Sequence, residues 1–119
     1  MRKKIYYLST CSTCRRIMKE LGDLPGFEKQ NIREEKITPE QLEEMKNLAG
    51  SYEALFSRRS MKYKAMGLKD KTLTEKDYKN LILEEYTFLK RPVIIAGDEI
   101  FIGNAKKVVE AAARKLGLI

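Results

Sequence analysis

Thr10-Cys11-Ser12-Thr13-Cys14-Arg15-Arg16 constrains this chain more than any other stretch. It holds both cysteines of the 119 residues, in a CxxC set between a strand-like run and a helix-like one. Before it, Lys4-Ile5-Tyr6-Tyr7-Leu8 is β-branched and aromatic over strand length and gives way to Ser and Thr, so a buried strand is expected. After it, Ile17, Met18 and Leu21 fall on one side at helical spacing, Lys19 supplies a basic last turn and Gly22 a stop, which predicts a helix over residues 15–21. Cys11 then ends the loop ahead of the helix, where unpaired N–H groups and the positive end of the dipole favour thiolate over thiol. Cys14, three residues on, can attack a mixed disulfide formed at Cys11. The first cysteine is read as the attacking group and the second as the resolving one. Arg15 and Arg16 are suited to lowering the Cys11 pKa and holding an anion, or equally to being solvated helix charges.

The motif has other readings. A closed zinc site takes about four ligands, and with no histidine and no third cysteine the chain does not supply them, so no metal is expected. Two inert, packed cysteines remain an alternative, because free cysteine suits cores. A structural disulfide is disfavoured. The apolar run Ile5 to Leu8 is shorter than the roughly 7 residues of a signal-peptide core, and the expected compartment is the reducing cytoplasm. No stretch approaches the ~20 apolar residues of a membrane span. The lack of histidine leaves no Cys-His or Ser-His mechanism, and the net charge of +7 points to anionic partners. Acidic residues are interspersed and no basic stripe is paired with stacking aromatics, so direct nucleic-acid binding is not expected.

Taken in order, Asp23-Leu24-Pro25-Gly26 reads as a turn and Phe27 to Ile32 as a second strand, completing a βαβ unit with the CxxC at the carboxyl end of its first strand. Thr38, Pro39 and Gln41 mark a capped helix start, and Thr74 with Asp77 marks another. Leu42, Met45 and Leu48 face inward from the first of these helices, and Tyr78, Leu81 and Ile82 from the second. The last third gives two apolar runs around Gly97-Asp98, a hairpin with Pro92 at the entrance to its first strand, then a helix over 105–116 capped by Asn104. The expected architecture is α/β: a thioredoxin-like, glutaredoxin-type mixed four-stranded sheet with an inserted helical subdomain. One domain spans residues 1–119, with its core at about 1–37 and 86–119 and the insert at about 38–85.

This order, with Cys11-Ser12-Thr13-Cys14-Arg15 after the first strand, Arg58-Arg59-Ser60 in the insert and Arg91-Pro92 before Val93-Ile94-Ile95, closely resembles the ArsC/Spx family of arsenate-reductase-like proteins over essentially the whole chain. The resemblance implies that Cys11 is the nucleophile, with Arg15 the arginine beside it. It implies that Arg91 binds an oxyanion next to a typically cis proline, Pro92, and that a second oxyanion arginine is Arg59 or Arg58, the alignment favouring Arg59. It implies a thiol oxidoreductase that reduces arsenate or a disulfide. It implies no tightly bound cofactor, with glutathione and glutaredoxin, or thioredoxin, as the expected electron donor. Two features depart from the glutaredoxin-dependent reductases. The third arginine expected shortly after the fourth strand is absent from Phe101-Ile102-Gly103-Asn104, with only Lys106 and Lys107 nearby, and a cysteine stands at position 14, as in Spx-type regulators. The alternative is therefore a redox switch that docks on the RNA polymerase alpha subunit, although Spx-type chains tend to extend further at the carboxyl end. A monomer is expected in either case.

Overall fold

The computed structural model describes residues 1–119, which divide into two compact units, 1–36 with 91–119 and 37–90. The first unit is built on four strands, β1 (Lys3–Tyr7), β2 (Glu28–Asn31), β3 (Val93–Ala96) and β4 (Glu99–Ile102), in the order β2-β1-β3-β4. β1 runs parallel to β2 and antiparallel to β3, and β4 runs antiparallel to β3. Helix α1 (Ser12–Glu20) crosses from β1 to β2, and α5 (Lys106–Lys115) follows β4. This mixed sheet is the thioredoxin-like arrangement anticipated from the order of motifs.

The strand alternation builds the core. Ile5, Ile94, Ala96 and Phe101 cluster with Ile17 and Leu21 of the α1 segment, Leu24 after it, and Ala112 and Ala113 of α5. Val108, Val109 and Leu116 pack against the cluster at partial burial, so the helix face read from the sequence is the one used, with Ala113 added. The alternate residues of β1, Lys4 and Tyr6, are also buried. A buried ammonium is tolerated only when paired. Lys4 meets Glu28, its register partner on β2, and lies 5.1 Å from the centre of the Tyr6 ring. The Lys4 hydrogen bond and charge hold the Glu28 carboxyl below its usual range.

Element ends differ from expectation in two instructive places. α1 begins at Ser12, not residue 15, because Cys11 is itself the extended N-cap (φ −90°, ψ 112°). The apolar periodicity starts only at Ile17, so it could not report the first turn. α5 is entered through extended Ala105 with no side-chain cap, and Asn104 stands one residue outside the capping position, after Gly103 turns the chain with φ +86°. Elsewhere the local chemistry reads through. Gly22 (φ +72°) closes α1, its N–H reaching the Lys19 carbonyl at 3.0 Å while the Asp23 N–H reaches that of Met18 at 2.8 Å. Gly97 takes φ +66° at the first of two hairpin positions, where a II′-type turn wants glycine, which is why Gly-Asp serves here in place of Asp-Gly.

The second unit contains α2 (Pro39–Ala49), α3 (Met61–Ala65) and α4 (Glu75–Glu84), linked by short 3₁₀ turns. Both expected capping boxes form. The Thr38 hydroxyl accepts from the Gln41 N–H (3.1 Å) while the Gln41 side chain accepts from the Thr38 N–H (3.0 Å), and Thr74 with Asp77 repeats the exchange at 3.3 and 2.9 Å. Buried Phe56 is the centre of this unit, with the rings of Tyr78, Phe88 and Tyr63 at 4.9, 5.1 and 6.1 Å.

Because Ile17 is fully buried where α1 meets the sheet, Ile17→Ala is expected to lower the unfolding free energy by about 2–5 kcal/mol in urea denaturation. Lys29→Ala, on the exposed side of β2, should change it by less than about 0.5 kcal/mol.

Candidate active site

Cys11 stands where β1 gives way to α1, at the carboxyl edge of a parallel strand pair. Its N–H donates to the Leu8 carbonyl at 3.0 Å, closing the turn, and its carbonyl accepts the first helical bond from the Arg15 N–H at 3.2 Å. A neighbour that sequence reasoning missed fixes the loop. Asn31, at the end of β2, donates its amide to the Ser9 hydroxyl at 2.8 Å and accepts from the Ser9 and Arg33 N–H groups at 3.5 and 3.3 Å. The signal was an asparagine ending the second strand of a βαβ unit, on the same edge as the CxxC.

The two thiols have opposite environments. Cys11 is half-buried and Cys14 is fully buried, and both are free. Burial alone would raise the Cys11 pKa. It is outweighed by the Cys14 N–H, the Cys14 thiol, the Thr13 N–H and the Arg91 guanidinium, so the net effect holds Cys11 below the ordinary cysteine value. Cys14 is pushed up to about 11, first by burial, then by its hydrogen bond to Cys11 and the charge there, against a backbone hydrogen bond from Leu8 and the Arg91 charge. The Cys11 sulfur makes no side-chain cap hydrogen bond of ordinary geometry; its stabilisation comes from turned amides, a neighbouring thiol and one guanidinium.

Arg91 and Pro92 belong to the same unit. Their peptide bond is cis, Pro92 is buried directly ahead of β3, and its carbonyl accepts the Gly103 N–H at 2.9 Å. Thus Cys11, Cys14 and Arg91 are electrostatically joined. Arg15 is exposed in the first turn of α1, and Arg16 is exposed and faces Glu20 at 3.8 Å, so the two arginines adjacent in sequence are the more solvated ones. Arg58 and Arg59 lie in the other unit. The Arg58 guanidinium donates to Glu53 at 2.9 Å and to the Tyr78 hydroxyl at 3.0 Å, and sits 5.7 Å from the Tyr78 ring centre and 5.9 Å from that of Phe56. Arg59 is exposed, and only its backbone N–H is engaged, by the Ser57 hydroxyl at 3.3 Å. Lys106 and Lys107 open α5, exposed, where the missing third arginine would be sought. No group of three or more carboxylate or thiol side chains converges to hold a metal ion, and no helix is long and apolar enough to cross a membrane.

A thioredoxin-like sheet with an acidified cysteine at the N-cap position of the first helix and a second thiol one turn on defines the class of thiol oxidoreductases. The sequence matches the ArsC family over residues 6–112, and the chain belongs to that family. None of the curated proteins matches it significantly. Among solved structures it is similar to a Bacteroides fragilis protein described as ArsC-family related (TM-score 0.78, 23% identity, covering 93% of this chain and 98% of that one). It is similar to an arsenate reductase from Vibrio cholerae (TM-score 0.70, 18% identity, covering 100% of both chains). It is also similar to an arsenate reductase-related protein from Brucella melitensis (TM-score 0.69, 20% identity, covering 93% of both). At these identities the likeness establishes the fold.

pH-dependent alkylation checks the electrostatics. One thiol, Cys11, should react with a midpoint below the roughly 8.5 of free cysteine, while Cys14 stays unmodified until well above it. Arg91→Gln removes a positive charge that favours the thiolate, so the Cys11 midpoint should move up; an unchanged midpoint would remove Arg91 from the site.

Proposed function

We propose that this protein is a thiol-dependent reductase in which Cys11 attacks and Cys14 resolves, acting on a disulfide or on arsenate. The observation that carries the reading is the pairing of a half-buried Cys11, acidified by N–H groups, a thiol and Arg91, with a buried, protonated Cys14. With a disulfide, the Cys11 thiolate attacks one sulfur, the S–S bond breaks and the other sulfur leaves as a thiolate. Cys14 then loses its proton and attacks the Cys11 sulfur, releasing the second thiol and leaving a Cys11–Cys14 disulfide. With arsenate, the thiolate displaces an oxygen as water to form an As–S bond. Attack of Cys14 on the Cys11 sulfur passes two electrons to arsenic, which leaves as arsenite. In both cases an external thiol, glutathione with glutaredoxin or thioredoxin, returns two electrons and two protons to the pair.

The timing follows from the coupled protons. While Cys11 is an anion, its charge and hydrogen bond help keep Cys14 protonated. Once Cys11 is in a neutral adduct that part of the penalty disappears and Cys14 becomes easier to ionise. Arg91, with its planar donors, and Arg15 are the proposed anion-binding groups beside Pro92. Of the insert pair the family resemblance favours Arg59 as an anion-binding arginine, and its guanidinium, unlike that of Arg58, is not engaged by Glu53 and Tyr78.

The test is turnover of a small-molecule disulfide, and of arsenate, with glutathione and glutaredoxin or with thioredoxin. Cys11→Ser should lower kcat/KM by on the order of 10³-fold or more. Cys14→Ser should still consume one equivalent of disulfide and stop as a mixed disulfide visible by mass spectrometry. Rate should rise with pH through the Cys11 midpoint, since the thiolate is the nucleophile. Equal turnover by wild type and Cys11→Ser would end the enzymatic reading. The presence of Cys14 also fits a redox switch for the RNA polymerase alpha subunit; redox-dependent pull-down of that subunit without turnover would favour it.

A further inference from the structure

The net charge of +7 is concentrated. Of the chain's 24 basic and 17 acidic residues, the stretch 58–71 holds six and one: Arg58, Arg59, Lys62, Lys64, Lys69 and Lys71 against Asp70. The stretch has a fixed backbone, formed by α3 and the 3₁₀ turn Leu68–Asp70. Its anchors are few. Leu68 is buried, Tyr63 is half-buried with its ring edge towards Phe56, and the Ser60 and Thr87 hydroxyls share a hydrogen bond of 2.8 Å. Every other residue from 58 to 71 is exposed.

Two of the six cations are used internally, Arg58 by Glu53 and Lys62 by Glu85 at 2.7 Å. Arg59, Lys64, Lys69 and Lys71 form no ion pair. Among them stand two apolar side chains with nothing to cover them, Met61 at 89% exposure and Met66 at 45%. Exposed methionine is adaptable contact surface, and unpaired charges of one sign attract an oppositely charged partner at long range. No aromatic ring in the stretch is free to stack on a base, which is what a single-stranded nucleic acid would use. Two methionines are also a narrow apolar face for a membrane interface.

We propose that residues 61–71 form a docking surface for an acidic protein segment, whose carboxylates meet Lys64, Lys69 and Lys71 and whose apolar side chains cover Met61 and Met66. The complementarity sets encounter rate and selectivity through charge, and the methionines slow release.

The test uses fluorescence anisotropy with a labelled peptide of glutamate, serine and leucine at low salt. It is compared with the same peptide carrying glutamine for glutamate, a single-stranded oligonucleotide, and phosphatidylglycerol–phosphatidylcholine vesicles. The glutamate peptide should bind and the glutamine peptide should not. Lys64→Glu, Lys69→Glu and Lys71→Glu together should weaken binding about tenfold. The same reversal at Lys3, Lys29 and Lys36, exposed residues of the sheet-containing unit, should change it less than about twofold. Met61→Ser should weaken binding while leaving its salt dependence intact. Unchanged circular dichroism and Tm show that each variant is folded. Equal loss in both triple variants, tighter binding to the oligonucleotide or vesicles than to the peptide, or no peptide binding at all would overturn the proposal.

Discussion

A half-buried sulfur can carry a negative charge only if dipoles and cations around it offset the solvation it has lost. At Cys11 that compensation comes from groups supplied by the start of α1 and by the residue ahead of β3: the N–H groups of Cys14 and Thr13, the Cys14 thiol and the Arg91 guanidinium. The surrounding structure serves this balance. The Leu8 carbonyl and the Asn31 amide hold the loop that presents the sulfur. The sheet brings residue 91 to residue 11 across eighty positions of sequence, because β3 pairs antiparallel with β1.

The two thiols share one proton economy. Hydrogen bonding from Cys14 lowers the proton affinity of Cys11, and the resulting charge raises that of Cys14 beyond what burial alone imposes. Neither residue's acidity belongs to it alone. A change at either position therefore registers in the acidity of both.

Much of this was legible in the sequence, and for identifiable reasons. Strand–CxxC–helix, two capping boxes and the hairpin glycine are local signals, and local chemistry writes them into consecutive residues. The core faces of α1 and α5 follow from a 3.6-residue period. What could not be read was of two kinds. Helix starts without an apolar signal slipped: α1 opens with polar residues on a cysteine cap, and α5 on an alanine. Partners at a distance were hidden too, such as Asn31 on Ser9 and the engagement of Arg58 by Glu53 and Tyr78, which separates two adjacent, exposed arginines into an engaged and an unengaged one. Arg15 and Arg16, adjacent to the motif in sequence, are both exposed, and Arg16 faces Glu20.

The sheet ends on β2 at one rim and β4 at the other, each only four residues long. Both rims carry charge: Glu28 and Lys29 on the first, and Glu99, paired with Lys115 at 3.2 Å, on the second. A foreign strand laid along either would find a brief ladder and would have to strip water from ionised side chains to complete it. Short, charged rims are thus poor templates for a further strand, a protection this sheet has without closing into a barrel.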